Sequence, residues 1–174
     1  SVRRGFSEAR GERLVFIDAD LSLPIEDLPR MMAAFEAGAD VAIASRTVPG
    51  AVEEGQSKAG RSMMSRVFNV AVRATVLPGI TDTQCGFKMF RREVGRRLFA
   101  LSGERGYLFD IEVLILAERL GYRIAEVPIH WADQPGSQLD MTRESWRIAR
   151  GLWRLRRRQI TLSANMPNGD NDSI

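Results

Sequence analysis

The sequence predicts an α/β fold, a mostly parallel sheet flanked by helices, and three observations carry that prediction. Short apolar runs at 14–17, 40–45 and 122–131 read as strands. Segments whose apolar residues recur at helical spacing separate them. Glycine, proline and aspartate punctuate the joins, as they do where strands alternate with helices around a buried sheet. The 174 residues, 44% apolar and 27% charged, suffice for one domain with a sizeable core.

Taken in order, Val2, Phe6 and Ala9 lie on one helix face that Gly11 can close. Leu14 to Ile17 then form a buried strand that delivers Asp18 and Asp20 to its carboxyl end. Asp27 can cap a helix whose apolar face is Leu28, Met31, Met32 and Phe35, stopped at Gly38. A second buried strand follows in "DVAIAS", 40–45. Residues 46–60, with three glycines and a proline, form a long loop of the kind that often carries function. A helix is expected over 61–76 and a turn-rich loop in "PGITDTQ". "GFKMF", 86–90, is strand-like, "REVGRRLF" is helical, and "IEVLILAERLG" is a strongly apolar helix ended by Gly121. "YRIAEVPIHW" reads as the last strand, followed by a helix over 142–158. The tail 159–174 is too polar to fold. One domain, 1–158, is therefore expected.

The net charge of +3 conceals an uneven distribution: all but two of the 25 basic residues are arginine, and seven arginines lie between Arg143 and Arg158. Such a balance points to anionic partners. On the helix 142–158, Trp146, Ala149, Leu152 and Trp153 form an apolar stripe flanked by those arginines, the pattern of a helix lying on an anionic membrane. A nucleic-acid binder would interleave aromatic residues with the basic ones, whereas the aromatics here fall at core-like positions. The single Cys85 excludes an internal disulfide and, with His130 the only histidine, a Cys/His zinc site. No run of about 18 apolar residues is present.

The pair Asp18 and Asp20 stands where ligands bind in parallel sheets, at a strand's carboxyl end. Two adjacent carboxylates repel and need a cation or protons to coexist. Three readings follow: a solvated turn, a site for Mg²⁺ or Mn²⁺ against a nucleotide diphosphate, or the nucleophile loop of a haloacid-dehalogenase-type phosphatase, which "DADLS" also matches. The last requires a later lysine followed by an acidic pair, and neither Lys58 nor Lys88 precedes one.

"FIDADLSLPIEDLPRM", "ASR", "GRSMMSRVFN", "LPGITDTQCGFKMF", "GYLFDIEVLILAERLGYRIAEVPIHW" and "PGS" follow one another. In that order the chain, over residues 1 to about 158, resembles the polyprenyl- and dolichyl-phosphate hexosyltransferases of glycosyltransferase family 2, the glucosyltransferases first and the mannose synthases next. The resemblance implies a GT-A fold and an inverting, metal-dependent transfer of a hexose from a nucleotide sugar to a lipid phosphate. The donor is expected to be UDP-glucose, with GDP-mannose as the alternative. The location implied is peripheral, at the cytoplasmic face of a membrane.

The resemblance assigns Asp20 to the metal ion, Mg²⁺ or Mn²⁺, and Asp18 to the nucleotide or the metal shell. Arg61 and Ser65, one turn apart on a helix, match the family's acceptor-phosphate residues, with Arg46 and Ser137 as further candidates. Asp82 is implied as the carboxylate that orients the acceptor or takes its proton. Asp110 and Glu112 are the rival base, and as plain chemistry equally dipole-stabilised charges at a helix start. Cys85 is expected to be a small buried residue and His130 a packing residue. Gln138 departs from the lysine that the family has after "PGS". The family's base- and ribose-binding segments are expected upstream of Ser1, which makes this a carboxyl-terminal portion; an inactive membrane- or anion-binding fragment is the remaining alternative.

Overall fold

A computed structural model describes residues 2–19, 24–54, 70, 72–104, 106, 108–132, 150–155 and 157. A first helix, α1 (Val2–Glu8), leads into strand β1 (Arg13–Ile17). A 3₁₀ turn (Ile25–Asp27) opens α2 (Leu28–Glu36), and β2 (Val41–Ser45) and β3 (Val52–Glu54) follow. Beyond them come β4 (Phe87–Arg91), α3 (Arg92–Leu101), α4 (Phe109–Arg119), β5 (Ile124–Pro128) and β6 (His130–Ala132). Residues 72–75 and 150–155 are helical. The expected strand at 122–131 is thus two: Pro128 ends the pairing with β2, and β6 joins a different partner.

The main sheet has the order β1-β4-β2-β5. Strands β1, β2 and β5 share one direction; β4 is inserted between β1 and β2 and runs against both, from Ile17↔Phe87 to Arg13↔Arg91 on one side and Val41↔Phe90 on the other. The sheet is therefore mixed. The expected long loop 46–60 contains β3, which pairs with β6 in a second, two-stranded parallel sheet, Val52 opposite His130.

Strand alternation sorts the core into two layers. Val41, Ile43 and Phe90 face α1, α3 and α4; Ala42, Ala44, Phe87 and Met89 face α2, where Met31 and Phe35 cover them. Every residue of β2 is buried because strands pair with it on both sides and helices cover both faces. Phe6 of α1 stacks on Phe99 of α3 at 4.2 Å and meets Phe90 edge-on at 5.3 Å, arrangements that add to burial. Gly38 and Gly121, with φ of 94° and 74°, end α2 and α4 in the left-handed region where a Cβ would be strained.

Several expectations are corrected here. β1 is not a buried strand: only Leu14 is buried and Val15 is 40% exposed, because among the described strands β1 is at the sheet edge. Met32 lies outside the apolar face of α2, at 39% exposure. Asp27 occupies the cap position of α2, but its carboxylate makes no capping bond; instead it accepts from the backbone N–H of His130 at 2.6 Å. The expected membrane-facing stripe divides. Leu152 and Leu155 are buried in the core with Leu108, while Trp153 is 56% exposed beneath the Arg157 guanidinium at 4.0 Å. Trp146, Ala149 and most of the helix expected at 61–76 lie outside the described residues.

The two methionines of α2 give a direct check on its orientation. Met31→Ala should cost about 2–4 kcal/mol of unfolding free energy, the penalty of a core cavity. Met32→Ala should change stability by less than about 0.5 kcal/mol. Urea denaturation of the two variants measures both.

Candidate active site

Because β1, β2 and β5 run together and β4 runs against them, three carboxyl ends and one amino end share a single edge of the sheet. Asp18 leaves β1 there, Arg46 leaves β2, and the loop 81–86 enters β4. The Asp18 N–H donates to the carbonyl of Gly86 at 2.8 Å. Gly86 must be glycine for a steric reason: a Cβ at that position would overlap the Asp18 carboxylate. The "QCGF" segment and the aspartate are thus built as one junction.

Arg46 and Asp82 form the second part. The Arg46 Nε–H and Nη2–H donate to the two carboxylate oxygens at 2.7 and 2.9 Å, and the Arg46 backbone N–H adds a third bond at 3.0 Å. The fork geometry of guanidinium on carboxylate gives direction as well as strength. Asp82 is completely buried. Burial pushes its carboxyl up, but the hydrogen bonds and charge of Arg46, helped by the charge of Lys88, outweigh burial and hold it below its ordinary value of 3.8. An anion stabilised in this way is a weak base. The Arg46 guanidinium also lies 5.8 Å from the centre of the Trp131 ring.

Glu126 of β5 holds this loop from below. Its carboxylate accepts from the Thr81 N–H at 2.9 Å, the Thr81 hydroxyl at 2.7 Å and the Asp82 N–H at 3.0 Å. Thr47 donates in turn to Thr81 at 3.0 Å. Glu126 escaped the sequence reading; a glutamate in the middle of "YRIAEVPIHW" was the only signal for it.

The rival pair, Asp110 and Glu112, is held by partners within the protein. Glu112 is buried, and its Oε2 takes three bonds, from the Ser102 hydroxyl at 2.7 Å and the N–H groups of Gly103 and Glu104 at 2.8 and 2.7 Å. It ties the α3–α4 connection down. Asp110 accepts from Lys88 Nζ at 3.2 Å and from the Ile111 N–H at 2.8 Å. Both carboxylates stand in the first turn of α4, the helix-start position that the sequence allowed, and each also meets a donor from another element. His130 donates or accepts through Nδ1 against Asp27 at 3.2 Å, a supporting contact as expected. Cys85 is buried, and burial together with the Asp82 charge pushes its thiol up to about 12.

Asp20, Arg61, Ser65 and Ser137 lie outside the described residues. Among the described residues no group of three or more His, Cys, Asp or Glu could hold a metal ion. A carboxylate at a strand end is nevertheless a hard-oxygen donor set that fits Mg²⁺ or Mn²⁺, ions that take one or two carboxylates and complete their shells with water and phosphate.

A sheet of this order, with acidic and cationic groups gathered at its ligand-binding edge, is the GT-A glycosyltransferase fold. Glucosyl-3-phosphoglycerate synthase from Mycobacterium tuberculosis superimposes with a TM-score of 0.64 at 20% identity, over 97% of this chain and 55% of that one. The same protein solved with Mn²⁺ and UDP-glucose gives 0.62. Residues 1–99 match the model for glycosyl transferase family 2, and the chain belongs to that family. Among its relatives, the dolichyl-phosphate beta-glucosyltransferase of Dictyostelium discoideum is 34% identical over 92% of this chain and 50% of its own length. The human protein of the same name is 28% identical over 89% and 53%. Glycosyltransferase AglD of Haloferax volcanii is 32% identical over 89% of this chain and 25% of its own length. The chain thus spans about half the length, or less, of these curated relatives.

Two outcomes follow from the titrating groups. With its folded value below 3.8, Asp82 contributes stability that is present above the unfolded value and lost as pH falls through the folded one. Acid unfolding followed by circular dichroism should therefore show a steeper loss of stability below about pH 4 in the parent than in Asp82→Asn. Cys85, raised to about 12, should resist iodoacetamide at pH 8 in the folded protein and react in urea, read by mass spectrometry.

Proposed function

We propose that the protein transfers glucose, with inversion, from UDP-glucose to a dolichyl or polyprenyl phosphate with the help of Mg²⁺ or Mn²⁺. The observation that carries this reading is the gathering of Asp18, Arg46 and Asp82 at one sheet edge, in a chain whose relatives are named for that transfer. Asp18, with Asp20, would hold the ion, which when bound supplies positive charge to the diphosphate leaving group.

The acceptor is a phosphate monoester, already ionised at neutral pH, so the reaction asks for cationic guidance more than for a base. Arg46 offers that charge, and Asp82 keeps its guanidinium in one orientation. Arg61, Ser65 and Ser137 complete the proposed acceptor site. As an acceptor oxygen bonds to the anomeric carbon, the bond from that carbon to the diphosphate breaks and its electron pair leaves with UDP. With Asp110 held by Lys88 and Glu112 by three donors, the support for either as the proton acceptor is weaker than that for Asp82 as the orienting carboxylate.

A lipid acceptor requires contact with a membrane surface. No helix among the described residues is long and apolar enough to cross one. The exposed Trp153 with Arg157 stacked on it fits peripheral contact with anionic lipid. The cytoplasmic face is the side proposed, in keeping with a water-soluble nucleotide donor and a free thiol at Cys85.

The test is sugar transfer by the full-length protein supplied with UDP-glucose, Mn²⁺ and dolichyl phosphate. Turnover should disappear with EDTA and return with Mn²⁺. Asp18→Asn and Asp20→Asn should each lower kcat/KM by about 100-fold, about 2.7 kcal/mol of lost charge stabilisation. Unchanged turnover in EDTA, or in both variants, would overturn the assignment.

A further inference from the structure

We infer that Lys88 is a positioning residue: its buried ammonium clamps the Cys85–Gly86 peptide that supports Asp18 to Asp110 at the start of α4. Lys88 is the one basic side chain among the buried described residues, with 1% exposure. It stands mid-strand in β4, opposite Phe16 on one side and Ile43 on the other, on the face where alternation places Phe90 in the core. A lysine there gives up several kcal/mol of hydration, which only partners for its charge can offset, whereas an apolar side chain carries no such desolvation penalty. The position is explained by what the ammonium reaches.

Nζ donates to the carbonyl of Cys85 at 2.7 Å and to Asp110 Oδ2 at 3.2 Å. The residue after Cys85 is Gly86, whose carbonyl accepts from the Asp18 N–H and whose bare Cα faces the Asp18 carboxylate. One cation therefore joins three elements: the loop that enters β4, the first turn of α4 and, through Gly86, the end of β1. Its charge also reaches Asp82 and helps to hold that carboxyl ionised. Without Lys88 the sheet and α4 would keep their apolar contacts, but the 85–86 peptide would lose the bond that fixes its plane. Asp18 would lose a rigid seat. The functional weight of that seat rests on the reading of Asp18 as a ligand for the nucleotide-bound ion.

The test must separate positioning from bulk stability. Lys88→Met alone leaves Asp110 buried and unpaired, which costs roughly 3–5 kcal/mol. Lys88→Met combined with Asp110→Asn removes both charges and, by the same logic, restores the melting temperature. Two readouts are taken on the double variant of the full-length protein. Amide exchange at Asp18, followed by mass spectrometry of peptides spanning β1 and that residue, should accelerate about tenfold, the worth of one charged hydrogen bond. Mn²⁺-dependent UDP binding, measured by calorimetry, should weaken by about tenfold as well. Parent-like protection at Asp18 with parent-like UDP affinity would overturn the inference and leave Lys88 a purely structural charge. A parent protein that binds no Mn²⁺–UDP would overturn the proposed function instead, and the exchange rate at Asp18 would still decide the role of Lys88.

Discussion

The insertion of β4 against the direction of its neighbours is the constraint on which the rest of the arrangement depends. Had β4 run parallel to β1 and β2, its amino end, with the loop 81–86, would sit at the far edge of the sheet. Reversed, it delivers Asp82, Cys85 and Gly86 to the edge where β1 and β2 release Asp18 and Arg46. Both faces of the strand are used. Phe87 and Met89 fill the layer under α2, while Phe90 enters the other layer beside Lys88.

Charge is concentrated at that edge, and it is met internally. Arg46 neutralises Asp82, Lys88 neutralises Asp110, and Glu126 and Glu112 take hydrogen bonds from loop amides. Burying such groups is costly unless each is satisfied. Satisfied, they lock loops that apolar contacts alone would leave adjustable. Walls of this kind have their dipoles oriented before any ligand arrives. The same pairing limits the chemistry available. A carboxylate fastened to a guanidinium, or accepting three donors on one oxygen, orients its neighbours better than it accepts a proton.

The second sheet extends the edge. β3 rises from the loop after β2 and pairs with β6, which places Trp131 against Arg46 and lets His130 meet Asp27 at the start of α2. That bond ties the start of α2 to β6.

Local pattern was enough to mark most of the elements. Apolar periodicity marked α1, β2, α4 and the stop glycines of α2 and α4, and an ordered set of motifs led to the family. Those signals depend on neighbours along the chain, which a sequence displays directly. What the sequence did not disclose was pairing between distant residues. The reversed β4, the edge position of β1 with Val15 exposed, and the strand hidden in the loop 46–60 all depend on which strand lies next to which. So did the partners of the acidic residues. Asp27 read as a cap, and Asp82, Asp110 and Glu112 as candidate catalytic carboxylates, but nothing local announced that folding would bring a donor from another element within reach of each. Lys88, in the middle of "GFKMF", carried a visible oddity, a charge at a core position. Its meaning waited on Asp110, 22 residues further along the chain, because only tertiary packing can supply a buried charge with its counter-ion.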